Sequence, residues 1–96
     1  MIEIRKTDRF AKWIDRLSDV RARARVLARI DRLSEGHPGD VKAVGAGVLE
    51  MRIDYGPGYR VYYTKRGLAL IILLAGGDKG SQPRDIKTAQ RLARNL

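Results

Sequence analysis

Arg52 and Arg60 are the side chains of this chain best suited to chemistry. They lie in the stretch Arg52-Ile53-Asp54-Tyr55-Gly56-Pro57-Gly58-Tyr59-Arg60-Val61, in which two strand-like runs flank a Gly-Pro-Gly turn. Alternation puts arginines on one sheet face and apolar or aromatic residues on the other. Guanidinium forks offer parallel donors to phosphate oxygens and never lose their charge. Such a pair is equipped to hold a phosphate backbone, so RNA or DNA is the first partner to consider. The plainer alternative is a salt bridge from Arg60 to Asp54, with Arg52 merely solvated.

Four tyrosines, Tyr55, Tyr59, Tyr62 and Tyr63, cluster at the same hairpin. A ring can stack on an unpaired base, a contact of about 1–3 kcal/mol. Parity sends Tyr59 and Tyr63 to the core and Tyr62 to the arginine face, where it is the better stacking candidate. Tyr55, beside the turn, can go either way. No His, Cys or Glu other than Glu50 falls among the arginines, so a general base is not obvious. His37 reads as a loop residue and Trp13 as core. Arg21, Arg25, Arg29 and Arg32 form a stripe that reads as a solvated helix face.

The chain has 96 residues and a net charge of +9, from 20 Lys and Arg against 11 Asp and Glu. That length fits one domain over residues 1–96, with one modest core. The basic excess runs along both halves rather than forming a tail. It favours a polyanionic partner: nucleic acid, an anionic membrane or an acidic protein. There is no cysteine, which excludes disulfides and thiolate chemistry, and a single histidine cannot build a histidine-rich metal site. Met1 to Arg5 lacks the apolar region of a signal peptide. The run Leu68 to Ala75 is far too short to span a bilayer. A cytoplasmic protein without membrane contact is the default expectation.

The elements that must position the arginines follow from periodicity. Ile2 and Ile4 alternate with charged residues as in a short strand. Thr7 or Asp8 can cap a helix bearing Phe10, Trp13, Ile14 and Leu17 on one stripe. Ser18-Asp19 breaks it and can cap a second helix, about Val20 to Glu35. Its expected apolar face is Val20, Ala24, Leu27, Ile30 and Leu33, with Val26 alongside, and Gly36 is its C-terminal stop. Val41 to Val44 could form a short edge strand. Val48 to Tyr55 and Tyr59 to Lys65 are firmer strands. With Gly56-Pro57-Gly58 as the loop, Tyr55 faces Tyr59, Asp54 faces Arg60 and Arg52 faces Tyr62. Leu68 to Ala75 is apolar throughout, hence central and covered on both faces. After Gly76-Gly77, Ser81 or Gln82 opens a last helix with Pro83 in its first turn. Its inner face is Ile86, Ala89, Ala93 and Leu96, and its basic stripe, with Lys87 as a candidate RNA contact, is Lys87, Arg91 and Arg94. The order β-α-α-β-β-β-α predicts an α+β fold: an antiparallel sheet with a helical hairpin on one face and a C-terminal helix.

Three stretches carry a resemblance over nearly the whole chain. Leu49-Glu50-Met51-Arg52-Ile53, Gly56-Pro57-Gly58-Tyr59-Arg60-Val61-Tyr62-Tyr63, and Leu73 to Gln82 followed by Asp85-Ile86-Lys87 resemble the RelE/ParE superfamily of bacterial toxins, closest to its HigB-like addiction module killer branch. The resemblance implies a RelE-like fold and a toxin neutralised by a cognate antitoxin. RelE- and HigB-type members cut mRNA, usually on the ribosome; ParE-type members poison DNA gyrase. It also implies an active-site role for a basic or polar residue at the end of the central strand, here Lys79, with Asp78 beside it as an RNA contact or a helix cap.

The expectation is therefore an mRNA endoribonuclease in which the RNA's own 2′-OH is the nucleophile. Arg52 and Arg60 would clamp the scissile phosphate, Lys79 would assist, and Tyr55 or Tyr62 would stack a base. This chemistry calls for neither a metal nor a small-molecule cofactor. The alternatives are a gyrase inhibitor acting by protein binding, and a nucleic-acid-binding module without catalysis.

Overall fold

Local capping sets the helix boundaries. The computed structural model describes residues 1–96. After strand β1 (Glu3–Lys6), the Thr7 hydroxyl accepts a hydrogen bond from the Phe10 N–H at 3.1 Å and opens helix α1 (Asp8–Arg16). The Asp19 carboxylate accepts from the N–H groups of Arg21 and Ala22 at 3.0 and 3.1 Å and opens α2 (Val20–Ser34). Both caps satisfy backbone donors that a helix N-terminus leaves free. The chain then forms β2 (Val41–Ala43), β3 (Val48–Ile53), β4 (Tyr59–Arg66) and β5 (Leu70–Gly77), a 3-10 turn (Lys79–Ser81) and α3 (Gln82–Arg94).

The five strands make one sheet in the order β1-β5-β4-β3-β2. The strands β2 to β5 are antiparallel neighbours, as the sequence pattern predicts, but β1 lies parallel to β5. The sheet is therefore mixed rather than wholly antiparallel. The α1–α2 hairpin covers one face, enclosing Phe10, Ile14, Val26, Ile30, Leu33, Met51, Ile53, Val61, Tyr63, Ile71 and Leu73. Helix α3 covers part of the other, enclosing Val48, Tyr62, Leu74, Ala75, Ala89 and Ala93. The strand β5 is thus covered on both faces, which explains its unbroken apolar run. A register shift beside Tyr62 and Tyr63 leaves Leu74 without a cross-strand partner, so Leu74 and Ala75 both serve the α3 side.

Further expectations are corrected. Leu68, expected in the covered strand, is exposed in the turn before β5, and Leu96, expected on the inner face of the last helix, is exposed beyond its end. The buried stripe of α2 is Ala22, Val26, Ile30 and Leu33, while Val20 and Leu27 are exposed. The helix is rotated so that small Ala22, not Ala24, meets the sheet. The β3–β4 hairpin is also two residues out of the expected register. Arg52 pairs directly with Arg60, Ile53 with Tyr59 and Glu50 with Tyr62. The loop is therefore Asp54 to Gly58, and it is closed by the Gly58 N–H donating to the Tyr55 carbonyl at 3.1 Å.

Candidate functional site

The observed register makes Arg52 and Arg60 cross-strand neighbours on the sheet face away from the helical hairpin. With Lys79, Asp40, Ile53, Asp54 and Gly58 they line an open cleft of about 300 Å³. Lys79 reaches its rim because β5 ends at Gly77 and the chain turns. Asp78 caps that turn, accepting from the N–H groups of Gly80 and Ser81 at 2.8 and 3.2 Å. Two glycines shape the approach, Gly58 by its left-handed backbone and Gly77 by lacking a side chain. Gly58 has φ +80°, and a Cβ there would lie 3.5 Å from the Arg60 guanidinium and 3.6 Å from Lys79 Cβ. A Cβ on Gly77, the strand partner of Arg60, would run into the Asp85 carboxylate and the Ser81 hydroxyl.

Beneath the arginines lies Glu50, fully buried. Its carboxylate accepts from Gln82 Nε2 at 2.8 Å and from Arg52 Nε at 3.1 Å, and it lies 4.0 Å from Arg60 Nε. Burial opposes its ionisation. Hydrogen bonding from Gln82 and Arg52, together with the Arg60 charge, outweighs burial and holds its pKa below the ordinary 4.5. A buried carboxylate is tolerated when it is paired and hydrogen-bonded in this way. One carboxylate shared by two guanidiniums leaves an excess positive charge. Arg52, whose side chain is 34% exposed, makes its one side-chain hydrogen bond through Nε, so its outer edge faces the cleft. Arg60 is 12% exposed; its outer nitrogen donates to the Gly58 carbonyl at 3.3 Å. The alternative Asp54–Arg60 ion pair does not form, because the register carries Asp54 into the loop.

Arg29 braces the site from behind. Its guanidinium donates to the carbonyls of Arg52 at 2.6 Å, Pro38 at 3.0 Å and Asp40 at 3.4 Å. It is therefore a tie between α2, β3 and the Pro38–Asp40 loop rather than part of a solvated stripe.

The remaining candidates fall elsewhere. Tyr62 lies on the arginine face as parity predicts, but α3 covers it completely, so its ring cannot stack on a base. Its hydroxyl lacks a well-formed hydrogen bond. Burial, reinforced by the Glu50 charge close by, pushes its pKa well above the ordinary 10.0. Tyr55 packs on the hairpin side, with the Arg25 guanidinium 4.7 Å over its ring, and so faces away from the cleft. Lys87 is exposed on α3 and does not line the cleft. Asp40 and Asp54 do line it, and the sequence reading had not placed them there. The signal available was their position in the loop before β2 and in the loop between β3 and β4.

A family model described as "Phage derived protein Gp49-like (DUF891)" matches residues 12–95. An uncharacterized protein of Haemophilus influenzae is 48% identical over 95 residues, spanning 99% of this chain and 96% of the relative.

Proposed function

The chain belongs to the phage-derived Gp49-like family, and on that premise we propose that it is the toxin of a type II toxin–antitoxin pair, an endoribonuclease that cuts mRNA on translating ribosomes in the cytoplasm. The family's relation to toxin–antitoxin modules supports the first part. The HigB-like resemblance within the RelE/ParE superfamily supports the second. The observation that carries the reading is the direct pairing of Arg52 with Arg60 in a cleft that also holds Lys79.

In this reading the phosphodiester lies across Arg52 and Arg60. The 2′-oxygen attacks phosphorus, the P–O5′ bond breaks, and a 2′,3′-cyclic phosphate forms. The guanidiniums stabilise charge that grows on the phosphoryl oxygens. The 2′-OH proton leaves to a base and the 5′-oxygen gains one; Lys79, Asp40 and Asp54 are the ionisable groups at hand. Glu50 is buried and positions the arginines instead of moving protons. The antitoxin is a separate acidic or amphipathic partner that covers the basic surface. No helix of the structure is long and apolar enough to cross a membrane.

The test is Arg60→Ala. Loss of one such donor lowers cleavage on the order of 10²–10³-fold, so induced cells should keep growing while circular dichroism shows a folded protein. Mapping of new mRNA 5′ ends after brief induction of the wild type should show codon-phased cuts. Undiminished toxicity in a folded Arg60→Ala variant refutes the reading. Intact messages with DNA damage preceding translational arrest would point to gyrase.

A further inference from the structure

A second basic cleft lies on the opposite face of the sheet. Arg9, Lys12, Trp13 and Arg16 of α1, with Gly76 of β5, line an open groove of about 480 Å³. The three cations stand one turn apart along α1, and all are exposed. The chain's ion pairs involve Arg5, Arg52 and Arg60, and three arginines of α2 have work of their own: Arg23 on the Leu17 carbonyl, Arg25 on Tyr55, Arg29 on the loop carbonyls. Arg9, Lys12 and Arg16 engage nothing within the protein. The indole between them rests on Gly76, where any Cβ would collide with the ring, and it meets Tyr59 edge-on at 6.3 Å.

The groove and the arginine cleft occupy the same end of the sheet. Gly76 precedes Gly77, which pairs with Arg60, which pairs with Arg52. Tyr59, against the indole, is the residue before Arg60. A strand of nucleic acid passing over this end of β4 and β5 would meet the arginines on one face and α1 on the other. We infer that the α1 groove is a subsite for single-stranded RNA, holding nucleotides that flank the phosphodiester gripped by Arg52 and Arg60; this rests on the nuclease reading of that cleft.

The lining favours RNA over an acidic protein segment. Single strands are held by cations that track the backbone and by aromatic rings beside the bases, and both are present. An amphipathic acidic helix needs an apolar trough, whereas this groove has one hydrophobic residue, Trp13. With a rise of about 1.5 Å per residue, Arg9 and Arg16 lie roughly 10 Å apart along α1, within reach of successive phosphates for side chains of this length.

Trp13 is the one tryptophan in the chain, so its emission reports on the groove directly. The probe is a 2′-O-methyl oligoribonucleotide of about twelve nucleotides, which cannot be cut because its nucleophile is blocked. Saturable quenching of Trp13 is expected. The triple variant Arg9→Gln, Lys12→Gln, Arg16→Gln should weaken binding by roughly tenfold or more and flatten the salt slope by about two. A dinucleotide, too short to reach α1, should bind both proteins alike. Unchanged affinity and salt slope in the triple variant overturn the subsite. So does a polyglutamate peptide that binds the groove more tightly than the oligonucleotide at equal ionic strength. If cleavable RNA stays intact while the triple variant still loses oligonucleotide affinity, the subsite stands and the nuclease reading falls. If cutting depends on Arg60 but the triple variant binds normally, the subsite alone falls.

Discussion

Replacing Glu50 by Gln tests whether one buried carboxylate organises the arginine cleft. The substitution keeps the shape and removes the charge that accepts from Gln82 and Arg52 and faces Arg60. Breaking a buried pair from one side costs about 3–5 kcal/mol. Arg52 is one-third exposed and regains water, so the expected loss is smaller, about 2–3 kcal/mol. In a domain of this size that lowers the melting temperature by roughly 10–20 °C. The pH dependence has a definite sign. Glu50 has a folded pKa below its ordinary 4.5, so its ionised form stabilises the fold fully above that value. The contribution is lost as pH falls through the depressed folded value.

Urea unfolding of both proteins from about pH 7 down to about pH 3 measures this directly. The stability gap between wild type and Glu50→Gln should be constant near neutrality and close below 4.5. RNA affinity should hold or rise in the variant, because a negative charge is gone, while the cleavage rate falls as the guanidiniums lose their common anchor. A purely structural role would lose both together. A gap that is absent, or that stays constant across the whole pH range, refutes the carboxylate as the organiser.

Two further outcomes probe the frame around the cleft. Arg29→Ala removes charged hydrogen bonds to three carbonyls and should destabilise by about 2–3 kcal/mol, with faster hydrogen exchange at Asp40 and Arg52. Arg32→Ala, an exposed neighbour on the same helix, should change stability by no more than about 0.5 kcal/mol; equal effects in chemical denaturation would undo the distinction. Gly77→Ala drives a methyl group into Asp85 and Ser81 and should cost about 1–3 kcal/mol while loosening the turn that carries Lys79. A thermal melt matching wild type would show that the turn yields without strain.

Strand parity was legible in the sequence because alternation between Met51, Ile53 and Glu50, Arg52 leaves no other way to bury one face. Register was not, and the reason is physical. A slip of one residue would turn every side chain over, but a slip of two preserves both faces. The apolar pattern therefore could not separate Asp54 opposite Arg60 from Arg52 opposite Arg60. The choice lay in the loop, where Gly56 and Gly58 both take positive φ and admit a longer turn than Gly-Pro-Gly alone. The orientation of α2 was equally degenerate, since Ala22 and Ala24 alternate with arginines and either could face inward. Parity also says which face Tyr62 occupies but not what covers it, and α3 arrives from far along the chain. Glu50 stood out as the sole glutamate among the arginines, yet its burial depends on the same helix through Gln82.

The charge of the cleft differs from that of the molecule around it. The chain carries +9, but Arg52, Arg60 and Lys79 share their corner with Glu50, Asp40 and Asp54, so the local sum is close to zero. On the proposed nuclease reading, a polyanion is therefore drawn in by the wider surface, where the field adds up and salt screens it. Recognition inside the cleft must come from directed donors rather than from net charge. Burying Glu50 under the guanidiniums serves that division. It offsets the mutual repulsion of two adjacent cations, fixes the Nε edge of Arg52 inward and leaves the outer edge of Arg52 toward the opening. A phosphate entering there meets donors already aimed, in a setting of low net charge that weakly retains anions lacking the right shape. On that reading binding strength and selectivity are carried by different residues, and a variant that adds surface charge should tighten RNA binding without speeding its cleavage.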